Sequence, residues 1–123
     1  MLWLMVAVGG FVGAPSRYIV DRLVSSRVET ALPWGTFIVN VSGSFVLGLL
    51  TGLSLRGHLP GDVKAVAGTG FCGAFTTFST FSFESVRLLE VGQILDATLN
   101  VLVSALVGFA GAAVGFAVAM AIE

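Results

Sequence analysis

The sequence predicts an all-α membrane protein, a single domain over residues 1–123 with four transmembrane helices, the third of them broken. Three observations carry this. Hydrophobic residues make up 56% of the chain and charged residues 11%, whereas soluble domains carry roughly a quarter charged residues; mean hydropathy is +1.00. A chain of 123 residues cannot hide that much apolar surface in one core, because small folds bury only about 60–70% of what they expose on unfolding, so lipid must cover the remainder. The apolar residues also fall into four runs near the length of roughly 20 residues that a bilayer demands.

The first span is expected over residues 2–20, free of charge until Arg17, which must snorkel outward or face a polar interior. It lacks the basic residues that precede a secretory signal's apolar core, so it is expected to remain in the mature protein. A polar link from Asp21 to Thr30 follows. Pro33 can open a helix without losing a needed hydrogen bond, and the uncharged run behind it gives a second span over residues 33–55. Arg56 to Asp62 reads as a turn punctuated by Gly57, Pro60 and Gly61, with Asp62 available as an N-cap. The third span, residues 63–88, clusters Gly68, Gly70 and Gly73 ahead of Thr76, Thr77, Ser79 and Thr80. Poor helix formers and hydroxyls that compete for backbone predict a break near Gly73 to Thr77. The fourth span covers residues 94–122.

Composition excludes several functions. A net charge of −1 offers no basic patch for nucleic acid. One cysteine, Cys72, and one histidine, His58, cannot form an internal disulfide or a metal cluster, and no nucleophile and base can be assembled within the spans. No titratable group sits at mid-membrane, which argues against a proton relay. Lys and Arg in the links are nearly balanced: Arg22, Arg27 and Arg87 face one side, Arg56 and Lys64 the other. That bias is too small to fix one orientation, so a chain inserting both ways, and an antiparallel homodimer, is consistent with it.

Polar stripes matter because helices in lipid associate through small residues and hydrogen bonds. Thr36, Asn40, Ser44, Gly48 and Thr51 line one face of the second span, with Asn40 about 10 Å in from Pro33 at helical rise. Asn40 is either interhelical glue or a donor toward something polar moving past. Asn100, Ser104, Gly108, Gly111 and Gly115 form a matching stripe on the fourth span, polar in its first half and suited to packing in its second. On the third span, phenylalanines at 71, 75, 78 and 81 surround the expected break. A break at membrane depth frees carbonyls that hydrocarbon cannot satisfy, and these suit a hard cation. The positive edges of Phe78 and Phe81 suit an anion instead, with Ser79 and Thr80 as donors. Arg17 and Glu84 fall toward the same end of the bundle, either snorkelling to water or lining a vestibule.

Three sequence pieces, in order, carry a resemblance: Gly9-Gly10-x-x-Gly13-Ala14-x-x-Arg17-Tyr18, Gly35-Thr36-Phe37-x-Val39-Asn40-x-x-Gly43-Ser44, and the run from Gly70 through Ser82. Over nearly its whole length the chain resembles the CrcB/Fluc fluoride channels, small bacterial and archaeal four-span proteins. The resemblance implies a multi-pass protein of the inner (plasma) membrane, a dual-topology antiparallel homodimer with two fluoride pores, and passive export of fluoride. It implies that Asn40, Phe78, Phe81, Ser79, Thr80 and Ser104 line the pore and that Arg17 and Glu84 stand at its vestibule. It also implies that the main-chain carbonyls of Gly73 and Thr76, from both subunits, hold a structural Na+. Asn100 departs from the tyrosine often found at its position, and Gly108 stands where another hydroxyl is expected, so the track on the fourth span is either shorter or completed by water. Two other readings remain at this level. A small dual-topology multidrug or cation exporter would need a carboxylate in the first span, which has none over residues 2–20; a non-transporting assembly subunit would use the polar stripes only as glue.

Overall fold

The computed structural model describes residues 2–28 and 32–122, and every regular element among them is helical. Helix α1 covers Leu2–Arg27, α2 Trp34–Leu55, α3 residues 61–75, α4 Phe78–Glu90 and α5 Ile94–Ala121. Helices α1, α2 and α5 are each long and apolar enough to cross a bilayer. The expected third span is two shorter helices, α3 and α4, on either side of Thr76 and Thr77.

Close contacts fix the relative directions of the helices. Gly9 lies against Gly70, and Gly13 against Phe71, so α1 and α3 run parallel. Gly111 faces Val41, Gly115 faces Phe45, and Gly52 faces Phe116 and Ala119, so α2 and α5 also run parallel. Elements one and three, and two and four, point the same way in a chain that alternates across a membrane. Glycine is required at these crossings: a Cβ on Gly70 would stand 2.9 Å from the Gly9 Cα, and one on Gly52 would stand 2.6 Å from the Ala119 Cβ. Close backbone approach of this kind is how helices associate where solvent is as apolar as leucine.

Most buried positions are accordingly small: Ala65, Cys72, Ala97 and Ala119 join the glycines, Phe75 and Leu88 are the bulky exceptions, and Val39 and Cys72 are the largest side chains wholly enclosed. The large apolar residues point outward, with Phe11 82% and Trp3 75% exposed. In water that surface would be untenable for a small domain; in hydrocarbon it is the required exterior.

Two local expectations need correction. α1 does not end at Val20 but continues to Arg27, because Asp21 to Arg27 contains neither Gly nor Pro and its polar side chains leave the membrane while the backbone stays helical. At 1.5 Å per residue the helix is about 39 Å long, longer than the hydrocarbon layer. The far end of the expected link, Glu29 and Thr30, lies outside the described residues. Asp62 is not an N-cap: the helix begins at Gly61 behind Pro60, with no side-chain cap, and Asp62 sits in the first turn, where its charge suits the helix dipole. Within α3, Lys64–Cys72 is wound as a π-helix, a wider coil rarely sustained for so long; α1 packs along it.

Substitution tests the glycine contacts. Gly115→Val drives a side chain into the Phe45 carbonyl and toward the Leu49 amide, 2.9 Å from the added Cβ, and is expected to cost about 1–3 kcal/mol as overpacking does. Gly61→Ala meets nothing within 4 Å and should leave the thermal unfolding midpoint in detergent unchanged. Equal midpoints for the two variants contradict the α2–α5 packing.

Candidate functional site: the broken third crossing

The break is built from two threonines. Thr76 (ψ 156°) and Thr77 (φ −147°, ψ 112°) are extended, a conformation that β-branched residues adopt readily. Thr77 is the N-cap of α4: its hydroxyl oxygen accepts the Thr80 amide at 3.1 Å, and the two threonine hydroxyls lie 3.1 Å apart in hydrogen bond. The Thr76 hydroxyl donates back to the Cys72 carbonyl at 2.9 Å, closing the end of α3, while its methyl group packs on Gly43 of α2.

Asn40 satisfies the rest. Its side-chain carbonyl accepts the Thr77 amide at 2.8 Å and its NH₂ donates to the Thr77 carbonyl at 3.1 Å. One side chain from α2 thus binds both main-chain groups of the residue where the helix is interrupted. The second N–H of the Asn40 amide is not used in this clamp. On the other flank, the Arg17 Nε donates to the Ala74 carbonyl at 3.4 Å.

Diverting these amides releases oxygens. In an unbroken helix the Thr77 amide would bond to Gly73 and the Thr80 amide to Thr76; here they go to Asn40 and to the Thr77 hydroxyl. The main-chain oxygens of Gly73 and Thr76 therefore lack their helical donors. A Cβ on Gly73 would meet nothing within 4 Å, so this side of α3 is open.

Phe78 and Phe81 begin α4 with ring centroids 6.1 Å apart, tilted by 44°. Phe78 is 79% exposed, Phe81 is half-buried, and Ser79 is exposed beside them. The Thr80 hydroxyl oxygen accepts from the Thr77 hydroxyl, which leaves its own O–H to donate elsewhere. Ser104 is not adjacent to this turn in sequence or helix. It joins a second polar group in which its hydroxyl donates to the Asn100 carbonyl oxygen at 3.4 Å, the Asn100 NH₂ donates to Ser85 at 2.9 Å, and Ser85 donates to the Phe81 carbonyl at 2.9 Å. Ser104 and Asn100 also line a cleft of about 160 Å³ together with Trp34 and Phe37.

Arg17 and Glu84 do not pair. Arg17 is turned to Ala74, and Glu84 lies near the Thr36 hydroxyl and Asp21, with its Oε1 buried and without a hydrogen-bond partner. Among the described residues no group of three His, Cys, Asp or Glu could hold a metal ion. The sequence places Thr77 in the break but its role as a cap, signalled by the Thr77-x-x-Thr80 spacing, was not foreseen, and Ser85, seven residues beyond Phe78 on the same stripe, was not singled out.

The family model of the CrcB-like protein, Camphor Resistance (CrcB), matches residues 4–116. A Fluoride-specific ion channel FluC 1 of Streptomyces avermitilis is 47% identical over 115 residues, 94% of this chain and 93% of that one. Its counterpart in Frankia casuarinae is 47% identical over 127 residues, covering 99% and 98%. A Fluoride-specific ion channel FluC of Methanocaldococcus jannaschii is 48% identical over 101 residues, covering 82% and 80%.

Removing the clamp has a measurable cost. Asn40→Ala leaves the Thr77 amide without its partner, and an unsatisfied group shielded from water costs about 1–3 kcal/mol. The variant should unfold at a clearly lower temperature in detergent than wild type, and lower than Ser42→Ala on the same helix, whose hydroxyl only bonds back to its own backbone. Matching midpoints for the two variants would mean that the clamp does not hold the break.

Proposed function

The chain belongs to the CrcB family, and from that premise we propose that it conducts fluoride passively out of the cell, through two pores formed with an inverted second copy in the inner (plasma) membrane. It is a fluoride-specific channel and not an enzyme. The observation that carries the proposal is the interrupted helix: a break held in place by Asn40, with the Phe78 and Phe81 pair on one side, Phe78 exposed, and released carbonyls on the other.

The physics of a fluoride path fits these parts. Fluoride is small and strongly hydrated, so a narrow pore must replace its water without holding it tightly, the balance that conduction requires. Edges of Phe78 and Phe81 present the positive rim of the ring quadrupole. The spare Asn40 N–H and the hydroxyls of Ser79 and Thr80 are neutral donors, and the Ser104 hydroxyl, which donates to Asn100, joins them by rotating about its Cβ–Oγ bond. Arg17 and Glu84 stand toward one end of the path and set its vestibule. None of these groups carries a charge at the narrow part.

A second copy is needed for two reasons. Four crossings packed through glycine leave no bore within one chain, and the nearly balanced Lys and Arg permit both orientations. The Gly73 and Thr76 oxygens fit a Na+ at the centre of such a dimer: they are neutral hard donors, as hard cations prefer, they lack their helical partners, and the open side at Gly73 leaves room for an equivalent pair. When bound there, the cation supplies fixed positive potential beside the path.

Purified protein in liposomes is expected to release fluoride down its gradient and to discriminate strongly against chloride, with Phe78→Ile and Phe81→Ile each lowering the flux at least about tenfold, the scale of one lost polar contact of about 1.4 kcal/mol. A fluoride electrode reads the outcome, and flux no greater than that of protein-free vesicles overturns the reading. The cation is tested separately: exchange of Na+ for a large organic cation should weaken the dimer on size-exclusion chromatography or stop flux. Unchanged assembly and flux after exhaustive exchange would remove the site.

A further inference from the structure

We propose that Asn100 is a positioning residue for the aromatic pair: through its hydrogen bond to Ser85 it fixes how α4 is rolled against α5, and thereby where Phe78 and Phe81 stand. The inference rests on the fluoride-channel reading, since it concerns how that path is held in shape.

Helix α4 is the most weakly anchored element. It has 13 residues, of which only Ser85 and Leu88 are buried, and its packing is chiefly on α5. The Asn40 clamp secures its N-terminal end through Thr77 alone, one extended residue outside the helix, and leaves the 13 residues beyond it to be oriented by other contacts. Apart from Leu88, no apolar side chain of α4 is buried, and the hydrophobic effect, which sets such angles in water, does not act between helices in a bilayer. A directional bond is required, and Asn100 to Ser85 provides it.

Both partners are only 8% exposed, and the bond is 2.9 Å long. The Asn100 amide is itself oriented by Ser104, whose hydroxyl donates to its carbonyl oxygen. Ser85 donates in turn to the carbonyl of Phe81, one of the two ring-bearing residues, at 2.9 Å. Phe78, Phe81 and Ser85 follow spacings of three and four and so share one stripe of α4. A roll of about 20° moves a group at the roughly 6 Å radius of a helix by about 2 Å, enough to part ring edges that must both meet a small ion. Every member of this network is neutral, so it fixes geometry without adding a charge to the path.

The test compares Asn100→Leu, Ser85→Ala and the double variant, reconstituted in liposomes as the full chain, by fluoride flux and by fluoride-to-chloride selectivity. A loss of folded protein scales both ions alike and leaves selectivity unmoved; a displaced aromatic pair does not. Both single variants should lose fluoride flux by about tenfold, as removal of one partner of a buried hydrogen bond implies, and should lose selectivity. The double variant should be no worse than either single one, because both remove the same bond. Ser85→Thr, which restores the hydroxyl, should recover most of the flux. Hydrogen exchange over residues 78–90, which does not depend on fluoride conduction, should rise in Asn100→Leu. If wild type itself conducts no fluoride, the functional reading fails while the exchange result still reports on the bond. Wild-type selectivity in Ser85→Ala, or additive losses in the double variant, overturns the proposal even if Asn100→Leu does not fold.

Discussion

Hydrocarbon offers no hydrogen bonds, so every main-chain polar group at membrane depth must find its partner within the protein. A helix meets that demand automatically, and an interrupted helix does not. The chain breaks its third crossing at Thr76 and Thr77 and then repairs most of the damage with side chains: Asn40 takes both groups of Thr77, Arg17 takes the Ala74 carbonyl, and the two threonine hydroxyls cap the helix ends they adjoin. The rest of the structure can be understood as what is needed to bring those side chains to the break.

Bringing them there requires helices to approach very closely. The polar side chains of α1 and α2 are short or must reach across a backbone, and the contacts at Gly9, Gly13 and Gly43 let α1 and α2 come up against α3 with nothing interposed. The same economy along α2 and α5 places Asn40 and Asn100 on two faces of one rigid pair. Stability and function thus draw on the same residues: the glycines that replace a hydrophobic core are also what positions the polar groups. The Gly73 and Thr76 oxygens that remain unpaired follow directly from the repair, since the amides they have lost are those that Asn40 and Thr77 have taken.

Much of this was legible in the residues. An all-helical chain with long apolar helices follows from composition and run length, and the break from threonines and glycines packed into a few positions. The stripe on α2 announced Asn40, though not that its amide would bind Thr77 on both sides, because a periodic pattern gives a face and not a partner. The length of α1 was underestimated because charge at Asp21 and Arg22 marks the edge of the membrane, not the end of a helix. The failure of Arg17 and Glu84 to meet has the same origin: equal depth along two helices does not fix the angle at which each side chain leaves its axis. Ser85 escaped notice because a serine one position past an acidic residue in an amphipathic segment looks like surface.

The account turns on the Asn40 amide gripping Thr77, and solid-state NMR of the protein in lipid bilayers observes that grip directly. With the asparagine side-chain nitrogens labelled with nitrogen-15 and the threonine carbonyls with carbon-13, a through-space signal between the Asn40 Nδ2 and the Thr77 carbonyl is predicted, together with extended-backbone shifts at Thr77. Helical shifts at Thr77 and no such signal would mean that the third crossing is continuous, and would contradict the account at its root.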